Sequence, residues 1–254
     1  MKRFFLFFGL PLLIFLAWLV AGLMGWTNPL LLPSPNKVGL AAIEMIRSGE
    51  LQTHICSSLI RTVSGFCLSA AVALTLAWLF SRYRPAEEVF HFTLETIRVV
   101  PPLSLVPLLI LWFGIGEAPK LSIVILASFF PIYLSALSGF SNLDGRYEEL
   151  AKSLRLTRME RLRHIDLPAS LPAVITGLRL GFGYAWRALV GAELIAAATG
   201  LGYLIQDASE MSRSDRMLVG ILTIAFLGIV ADLLFGLLAT HLAPWANRRQ
   251  RGKS

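Results

Sequence analysis

The chain has 254 residues, of which 56% are hydrophobic and 15% are charged. Soluble domains carry about 25% charged residues, so this composition excludes an ordinary soluble protein and indicates an integral membrane protein. The net charge of +7 at pH 7 would also suit a nucleic-acid-binding protein. The long apolar runs and the positions of the basic residues instead favour a membrane orientation, with no nucleic-acid partner.

The first apolar run covers residues 4–26 and follows the basic pair Lys2 and Arg3. A signal peptide has a similar basic start and apolar core. Because this run is longer than a usual signal-peptide core and no small-residue cleavage site follows it, we predict a retained first transmembrane span.

A short helix on the outer membrane face is predicted after the first span. Pro33 and Pro35 interrupt helical structure, Asn36 is placed to cap a new helix, and Gly49 is placed to end it. Apolar residues at 38, 41, 42, 45 and 46 share one face of that helix. Residues 1–50 are therefore predicted to form the first span and an amphipathic surface helix.

A core of five more spans is predicted at about residues 51–240, followed by a basic tail at 243–254. The spans cover residues 53–80, 86–113, 121–140, 173–198 and 217–242. Turns at 81–85 and 114–120 and a polar outer loop at 199–216 connect them. The predicted fold class is all-α: a polytopic membrane protein with six transmembrane helices.

Prolines interrupt the third span, where Arg98 is followed by Pro101, Pro102 and Pro107. Each proline removes a backbone donor, and the freed carbonyl groups need partners from protein or water. Two interpretations stay open: a broken helix that lines a translocation path, or a kink that serves packing alone.

The fifth span combines small residues with charges. Gly177, Gly181 and Gly183 allow close approach of a neighbouring helix. Arg187 lies near the middle of the span, where a charge is costly unless it faces protein or a water-filled cavity. It either forms an internal ion pair, for instance with Glu193 or Asp232, or contacts an anion along a transport route.

The longest polar stretch, residues 141–168, is predicted to form two short amphipathic helices joined by a bend. Thr157 and Glu160 have the spacing of a capping box that opens the second helix, and Pro168 is expected to end it. Apolar residues with charged flanks suit a surface on which another protein docks.

The basic residues predict the orientation. Fourteen of the 23 lysines and arginines fall on one side of a six-span arrangement and five on the other. Positive charge accumulates on the cytoplasmic side of membrane proteins. Both termini and the polar stretch are therefore predicted to be cytoplasmic.

The polar stretch resembles the cytoplasmic loop motif of binding-protein-dependent ABC importer permeases. That motif reads Glu-Ala-Ala, three residues, Gly, nine residues, Ile-x-Leu-Pro. This chain has Glu149-Leu150-Ala151, three residues, Arg155, nine residues, and Ile165-Asp166-Leu167-Pro168. Leu150 and Arg155 depart from the motif, and Arg155 replaces a glycine that allows a tight bend.

Other segments are similar to the nitrate, sulfonate and taurine branch of these permeases. They are Leu32-Pro-Ser-Pro35, Arg98-x-x-Pro101, Leu111-Trp-Phe-Gly-Ile-Gly116, and Ala192-Glu-Leu-Ile195 followed by Gly200-Leu-Gly-Tyr203. The resemblance implies a type I importer transmembrane domain in the bacterial inner membrane. It also implies a second copy of the chain, two ATP-binding cassette ATPase subunits that hold ATP and Mg²⁺, and an external solute-binding protein. The implied substrate is a small organic anion, an aliphatic sulfonate or taurine in preference to nitrate, carried by alternating access.

The resemblance also assigns roles to residues. The implied ATPase-coupling loop comprises Glu149, Leu150, Ala151, Leu154, Arg155, Thr157, Met159, Leu162, Ile165, Leu167 and Pro168. The candidates for the translocation path are Arg98, Pro101, Pro102, Arg187 and Glu193. No catalytic residue, metal ligand or cofactor of this chain is predicted.

Two other classes of function remain open. The sequence lacks a Gly-x-x-x-x-Gly-Lys-Ser/Thr phosphate loop, so ATP hydrolysis by this chain itself is not expected. An ion-coupled carrier or channel would use Arg187, Glu193 and Asp232 as a relay. A membrane scaffold would use the polar stretch to bind a cytoplasmic protein without transport.

Overall fold

A computed structural model describes residues 2–141, 149, 151 and 153–245. Across this part of the chain every regular element is helical, which confirms the all-α prediction. The α-helices are α1 (Lys2–Leu23), α2 (Pro35–Arg47), α3 (Glu50–Arg82), α4 (Arg84–Val99), α5 (Val106–Phe113), α6 (Glu117–Ser141), α7 (Arg158–Arg161), α8 (Leu167–Ala196), α9 (Leu201–Glu210) and α10 (Ser214–Leu242).

Several of these helices are long and apolar enough to cross a bilayer. Among the described residues α3, α6 and α10 meet that criterion alone, and two bent helix pairs bring the number of candidate spans to five. The predicted first span overlaps α1. The apolar part of α1, Gly9–Leu23, is shorter than the three helices that meet the criterion alone.

The described residues fall into two compact units. The first unit holds the residues up to Ser58 together with Glu193–Phe226, and the second holds Leu59–Ala192 together with the residues from Leu227 onward. Both units are therefore built from segments distant in the sequence, and the boundaries fall inside α3, α8 and α10.

In the first unit α2 buries Val38, Ala41 and Met45, as the apolar periodicity predicted, whereas Ile46 on the same predicted face is 51% exposed. The predicted cap is wrong: the helix begins at Pro35 with Ser34 at the N-cap position, because a proline fits the first helical turn, where its missing N–H has no helical acceptor. Gly49 adopts φ +78° directly after the helix, as expected for the residue that ends it.

The outer loop predicted at 199–216 contains a ten-residue helix, α9. Leu201, Leu204 and Ala208 are buried at spacings of three and four residues, so they share one helical face. Because polar residues surround these three apolar residues in a short segment, the helical spacing was not recognised from the sequence.

In the second unit the proline-rich third span is broken. The axes of its two halves differ by 83°, a far larger change of direction than a packing kink. Val100 has extended backbone, and neither Pro101 nor Pro102 can donate the hydrogen bonds that would continue α4. The expected turn at 114–120 is shorter than predicted, because α6 already begins at Glu117.

Close approach of α8 and α6 depends on two of the three predicted glycines. A Cβ at Gly177 would lie 2.7 Å from Ser135 Cβ, and one at Gly181 would lie 2.5 Å from Ile132 Cγ1. Gly183 does not serve this role, since a Cβ there would meet only the Arg187 side chain, at 3.5 Å.

The expectation that helical structure stops at Pro168 is wrong. Leu167 is helical (φ −65°, ψ −50°), and a π turn, Leu162–Asp166, joins α7 directly to α8. A proline ring normally clashes with the carbonyl four residues earlier. Proline is tolerated in the first turn of a helix, and the π turn before α8 leaves Pro168 in that position.

Candidate functional site

The capping box in the polar stretch is confirmed. The Thr157 backbone N–H donates to Glu160 Oε2 at 2.8 Å, and the Glu160 N–H donates to Thr157 Oγ1 at 3.3 Å. The Thr157 hydroxyl adds a 2.7 Å bond to the same carboxylate. These bonds satisfy donors at the start of α7 that have no helical partner.

The bend before α7 is built on Arg155, which has φ +48°. The Leu156 N–H donates to the carbonyl of Ala151 at 3.1 Å. A left-handed residue followed by this six-to-one hydrogen bond is a Schellman motif, in which glycine is the usual left-handed residue. Arg155 therefore keeps the bend despite its departure from the family motif.

The predicted coupling residues divide by exposure. Leu154 is 60% exposed and Met159 is 70% exposed, so both are available to another protein. Ala151 and Ile165 are buried within the chain. Leu150 lies outside the described residues. The remaining members of the set, with their exposure, are Glu149, Arg155, Thr157 and Leu167 (exposed) and Leu162 and Pro168 (partly buried).

Asp166 connects the polar stretch to the helical bundle, a structural role that the sequence did not indicate. Its side chain is 4% exposed and accepts a 2.6 Å bond from Arg82 at the end of α3. Arg161 lies 3.4 Å from its other oxygen. A carboxylate with two guanidinium partners holds the π turn against α3; only the spatial proximity of residues 82 and 166 reveals this.

A cavity of about 680 Å³ opens within the second unit. Four of the five candidates for the translocation path line it, namely Arg98, Pro101, Pro102 and Arg187. The broken span supplies the first three, and α8 supplies Arg187. Most of the other lining residues are apolar, and the lining includes no aspartate or glutamate.

Arg187 has no carboxylate partner among the described residues. Asp232 instead pairs with Arg179 at 2.6 Å, and Arg98 pairs with Glu95. The Arg187 guanidinium lies 5.5 Å from the ring centroid of Tyr184, within the range of a cation–π interaction. The proposed ion pair of Arg187 with Glu193 or Asp232 is therefore wrong, and the cavity lining contains a guanidinium able to contact an anion.

Glu193, the fifth candidate, lies in the first unit and is not part of this lining. The carboxylate is 1% exposed and accepts bonds from Ser58 Oγ at 2.8 Å and from the Gly202 N–H at 3.0 Å. Gly200, at φ +125°, leaves room for it, since a Cβ there would lie 2.3 Å from the carboxylate. Glu193 thus accepts a hydrogen bond from a backbone N–H at the start of α9 that has no helical partner, and its negative charge is favourable at this helix end.

The arrangement defines a class of protein: a polytopic helical membrane protein with a broken span and an exposed bent helical segment continuous with a long membrane helix. Its cavity bears an arginine that has no carboxylate partner among the described residues. Among the described residues, no three metal-ligating side chains are grouped to hold a metal ion. The cavity lining combines the Arg187 guanidinium with apolar side chains, and a guanidinium can donate charge-assisted hydrogen bonds to an anion.

Comparison with known proteins identifies the family. Residues 65–244 match the family described as binding-protein-dependent transport system inner membrane component. The chain belongs to this family.

Two relatives and one solved structure are informative. The chain is 35% identical over 238 residues to a Bacillus subtilis protein named as the aliphatic sulfonates transport permease SsuC, covering 94% of this chain and 86% of that protein. It is 34% identical over 241 residues to the taurine transport system permease TauC of Escherichia coli, with coverage of 93% and 87%. An inward-facing structure of the MetNI methionine ABC transporter has a TM-score of 0.61 at 11% identity, covering 76% of this chain and 97% of that one, which concerns the fold alone.

Proposed function

We propose that this chain is the membrane-spanning subunit of an ATP-driven importer for an organic sulfonate. In this proposal two copies form the permease, two separate ATPase subunits hold ATP and Mg²⁺, and an external binding protein delivers the solute. The observation that carries the proposal is Arg187 in a largely apolar cavity of a chain from this family, with no carboxylate partner among the described residues.

The polar stretch supports the role of a coupling device. The exposed Leu154 and Met159 flank the bend, and Asp166 holds the adjoining π turn against α3. The π turn continues without interruption into α8, which also carries Tyr184 and Arg187. Force applied to this segment by an ATPase subunit would therefore reach the cavity through one helix, because packed helices move as rigid bodies.

The cavity favours a particular kind of anion. A sulfonate oxygen can accept charge-assisted hydrogen bonds from the Arg187 guanidinium, while an alkyl chain would bury apolar area against leucine, phenylalanine and proline side chains. Taurine also carries an ammonium group, and the cavity lining offers no carboxylate to pair with it. Nitrate has no apolar part that could pack against the apolar lining of the cavity. We therefore propose an alkanesulfonate as the preferred substrate.

The orientation is part of the proposal. The chain is a multi-pass membrane protein, and the excess of basic residues on one side supports cytoplasmic termini and a cytoplasmic coupling segment. Such an orientation places the coupling segment where ATP is available to the partner subunits.

Co-purification and reconstitution test the proposal. An ATPase subunit is expected to co-purify with this chain, and an alkanesulfonate-loaded binding protein is expected to stimulate ATP hydrolysis and uptake in proteoliposomes. Uptake by the purified chain alone would instead indicate an ion-coupled carrier. A co-purifying partner without a nucleotide site, and no uptake, would indicate a scaffold.

A further inference from the structure

A second cavity, of about 650 Å³, lies in the second unit beside the π turn. Its aromatic lining residues lie near helix ends: Trp78 is four residues from the end of α3, Phe140 is one from the end of α6, and Trp245 is three beyond the end of α10. Tryptophan is enriched where membrane helices meet the lipid headgroups. The positions of these residues therefore favour a cavity near the membrane interface over one at the bilayer centre.

The wall of this cavity is mostly apolar, with leucine side chains at 74, 167 and 171 and the valine at 174. Trp78 and Trp245 are 43% and 47% exposed, so both rings are available to a ligand. Each tryptophan combines a large apolar surface with an indole N–H that can donate to a polar group.

Arg163 is the charged residue in this lining. Its guanidinium has no hydrogen-bond or ion-pair partner within the described part of the chain. The neighbouring cations do have partners, since Arg82 and Arg161 both contact Asp166. An unpaired guanidinium at the edge of an apolar cavity favours a ligand with an anionic head and a hydrocarbon body, and a basic pocket between membrane helices is a recognised headgroup site.

We propose that this cavity binds an anionic phospholipid, with the headgroup phosphate on Arg163 and an acyl chain along the leucine and tryptophan wall. A free inorganic anion would leave the apolar wall without a hydrocarbon partner. A zwitterionic lipid also carries a phosphate, but its headgroup cation would lie near Arg163 and repel it, so a headgroup with net negative charge is favoured. The wall includes Leu167 and Pro168, which adjoin the π turn. Bound lipid would thus hold the junction between the polar stretch and α8.

Native mass spectrometry of the full-length chain, purified with any subunits that accompany it, tests the site. Phosphatidylglycerol and phosphatidylcholine are added in equal amounts. Wild-type protein is expected to retain phosphatidylglycerol in about fivefold excess, the ratio given by one basic residue near an anionic lipid. Arg163→Gln is expected to bring the ratio close to one, and Arg163→Lys to preserve most of it.

Two further variants separate the charge from the cavity. Thr75→Phe fills the cavity without altering its charge and is expected to reduce retention of both lipids, because Thr75 is an exposed lining residue. Arg47→Gln removes an exposed arginine from the first unit and is expected to behave as wild type.

Three results would overturn the proposal. One is an unchanged lipid ratio in Arg163→Gln. A second is complete displacement of phosphatidylglycerol by millimolar inorganic phosphate, which would indicate an anion site without a role for the acyl chain. The third is loss of lipid whenever an ATPase subunit is bound, which would show that a protein partner covers the cavity.

Discussion

Arg155 has a left-handed backbone conformation, which is unfavourable for a residue that carries a side chain. Within the described residues, no contact of the Arg155 side chain compensates for this loss of stability. A left-handed conformation costs a non-glycine residue about 1 kcal/mol relative to glycine. At this position φ is +48°, and the bend between the polar helices depends on it.

Replacing Arg155 with glycine is therefore expected to raise the free energy of unfolding by about 1 kcal/mol. Arg155→Ala removes the same side chain but keeps the unfavourable conformation, so it serves as the matched control and is expected to match wild type. The measurement is the thermal unfolding midpoint in detergent. Equal midpoints for the glycine and alanine variants would contradict a left-handed residue at this bend.

Arg187 is expected to determine anion transport rather than folding. Hydrogen bonds to a charged group contribute about 1.5–3 kcal/mol, so Arg187→Gln should lower alkanesulfonate uptake by at least about tenfold, since 1.4 kcal/mol corresponds to a factor of ten. Tyr184→Leu should have a smaller effect, of a few fold, through loss of the cation–π contact. Uptake by proteoliposomes of known ATPase activity is the measurement.

The control for Arg187 is Arg213→Gln, because Arg213 is an exposed arginine paired with Asp215 and lies outside the cavity. Uptake by this variant should equal that of wild type. If Arg187→Gln also transports normally, the cavity is not the anion site, even though the chain could still be an importer subunit.

At the scale of the element, the segment from Thr157 through α8 is one continuous helical path with a capped start and a π turn. Met159 near its start is 70% exposed, and Leu154 just before the segment is 60% exposed. Both apolar side chains belong to the polar stretch and not to a membrane span. A partner protein that covers them would remove apolar surface from water.

Leu154→Asp is expected to uncouple ATP hydrolysis from uptake. Burying an unpaired carboxylate against the partner is strongly unfavourable, whereas the isolated chain keeps residue 154 in water. The assay compares ATPase stimulation by loaded binding protein with membrane insertion. Ile115→Asp, at a turn residue that is 88% exposed, is the control and should leave stimulation intact. Normal coupling in Leu154→Asp would contradict docking at this position.

The packing of α8 on α6 gives a second prediction at this scale. Gly181→Ala places a methyl group where only 2.5 Å separates it from Ile132 Cγ1, and overpacking of this kind costs about 1–3 kcal/mol. Gly183→Ala would meet only the Arg187 side chain, at an ordinary contact distance of 3.5 Å. It should be neutral or slightly stabilising, because alanine favours helix more than glycine. Thermal unfolding of the two variants distinguishes them, and equal loss of stability would contradict the packing.

At the scale of the whole molecule, the orientation in the membrane is open to direct measurement. With Cys56 and Cys67 replaced by serine, a Ser153→Cys variant is expected to react with a membrane-impermeant thiol reagent in inside-out vesicles and not in right-side-out vesicles. The physical basis is the excess of basic residues on one side. Labelling from the outside would contradict both the orientation and the docking of a cytoplasmic ATPase.

Local patterns in the sequence were sufficient to predict many of the structural elements of this chain. Hydropathy located the long apolar helices, and Thr157 and Glu160 predicted a capping box that the structure contains. The prolines at 101 and 102 marked the interruption of a span but did not distinguish a break from a kink. These features depend on residues close together in the chain, where backbone geometry and side-chain spacing are sufficient to decide the outcome.

The amino-acid sequence was enough to establish the class of fold, the family motif and a set of charged residues within the spans. The partners of those charges emerged from the folded chain: Asp232 with Arg179, Asp166 with Arg82, and Glu193 with Ser58 and the start of α9. The position of Arg187 at a cavity beside Tyr184 emerged in the same way. The reason is that a long-range ion pair depends on the distance between helices in space, which spacing along the chain does not encode.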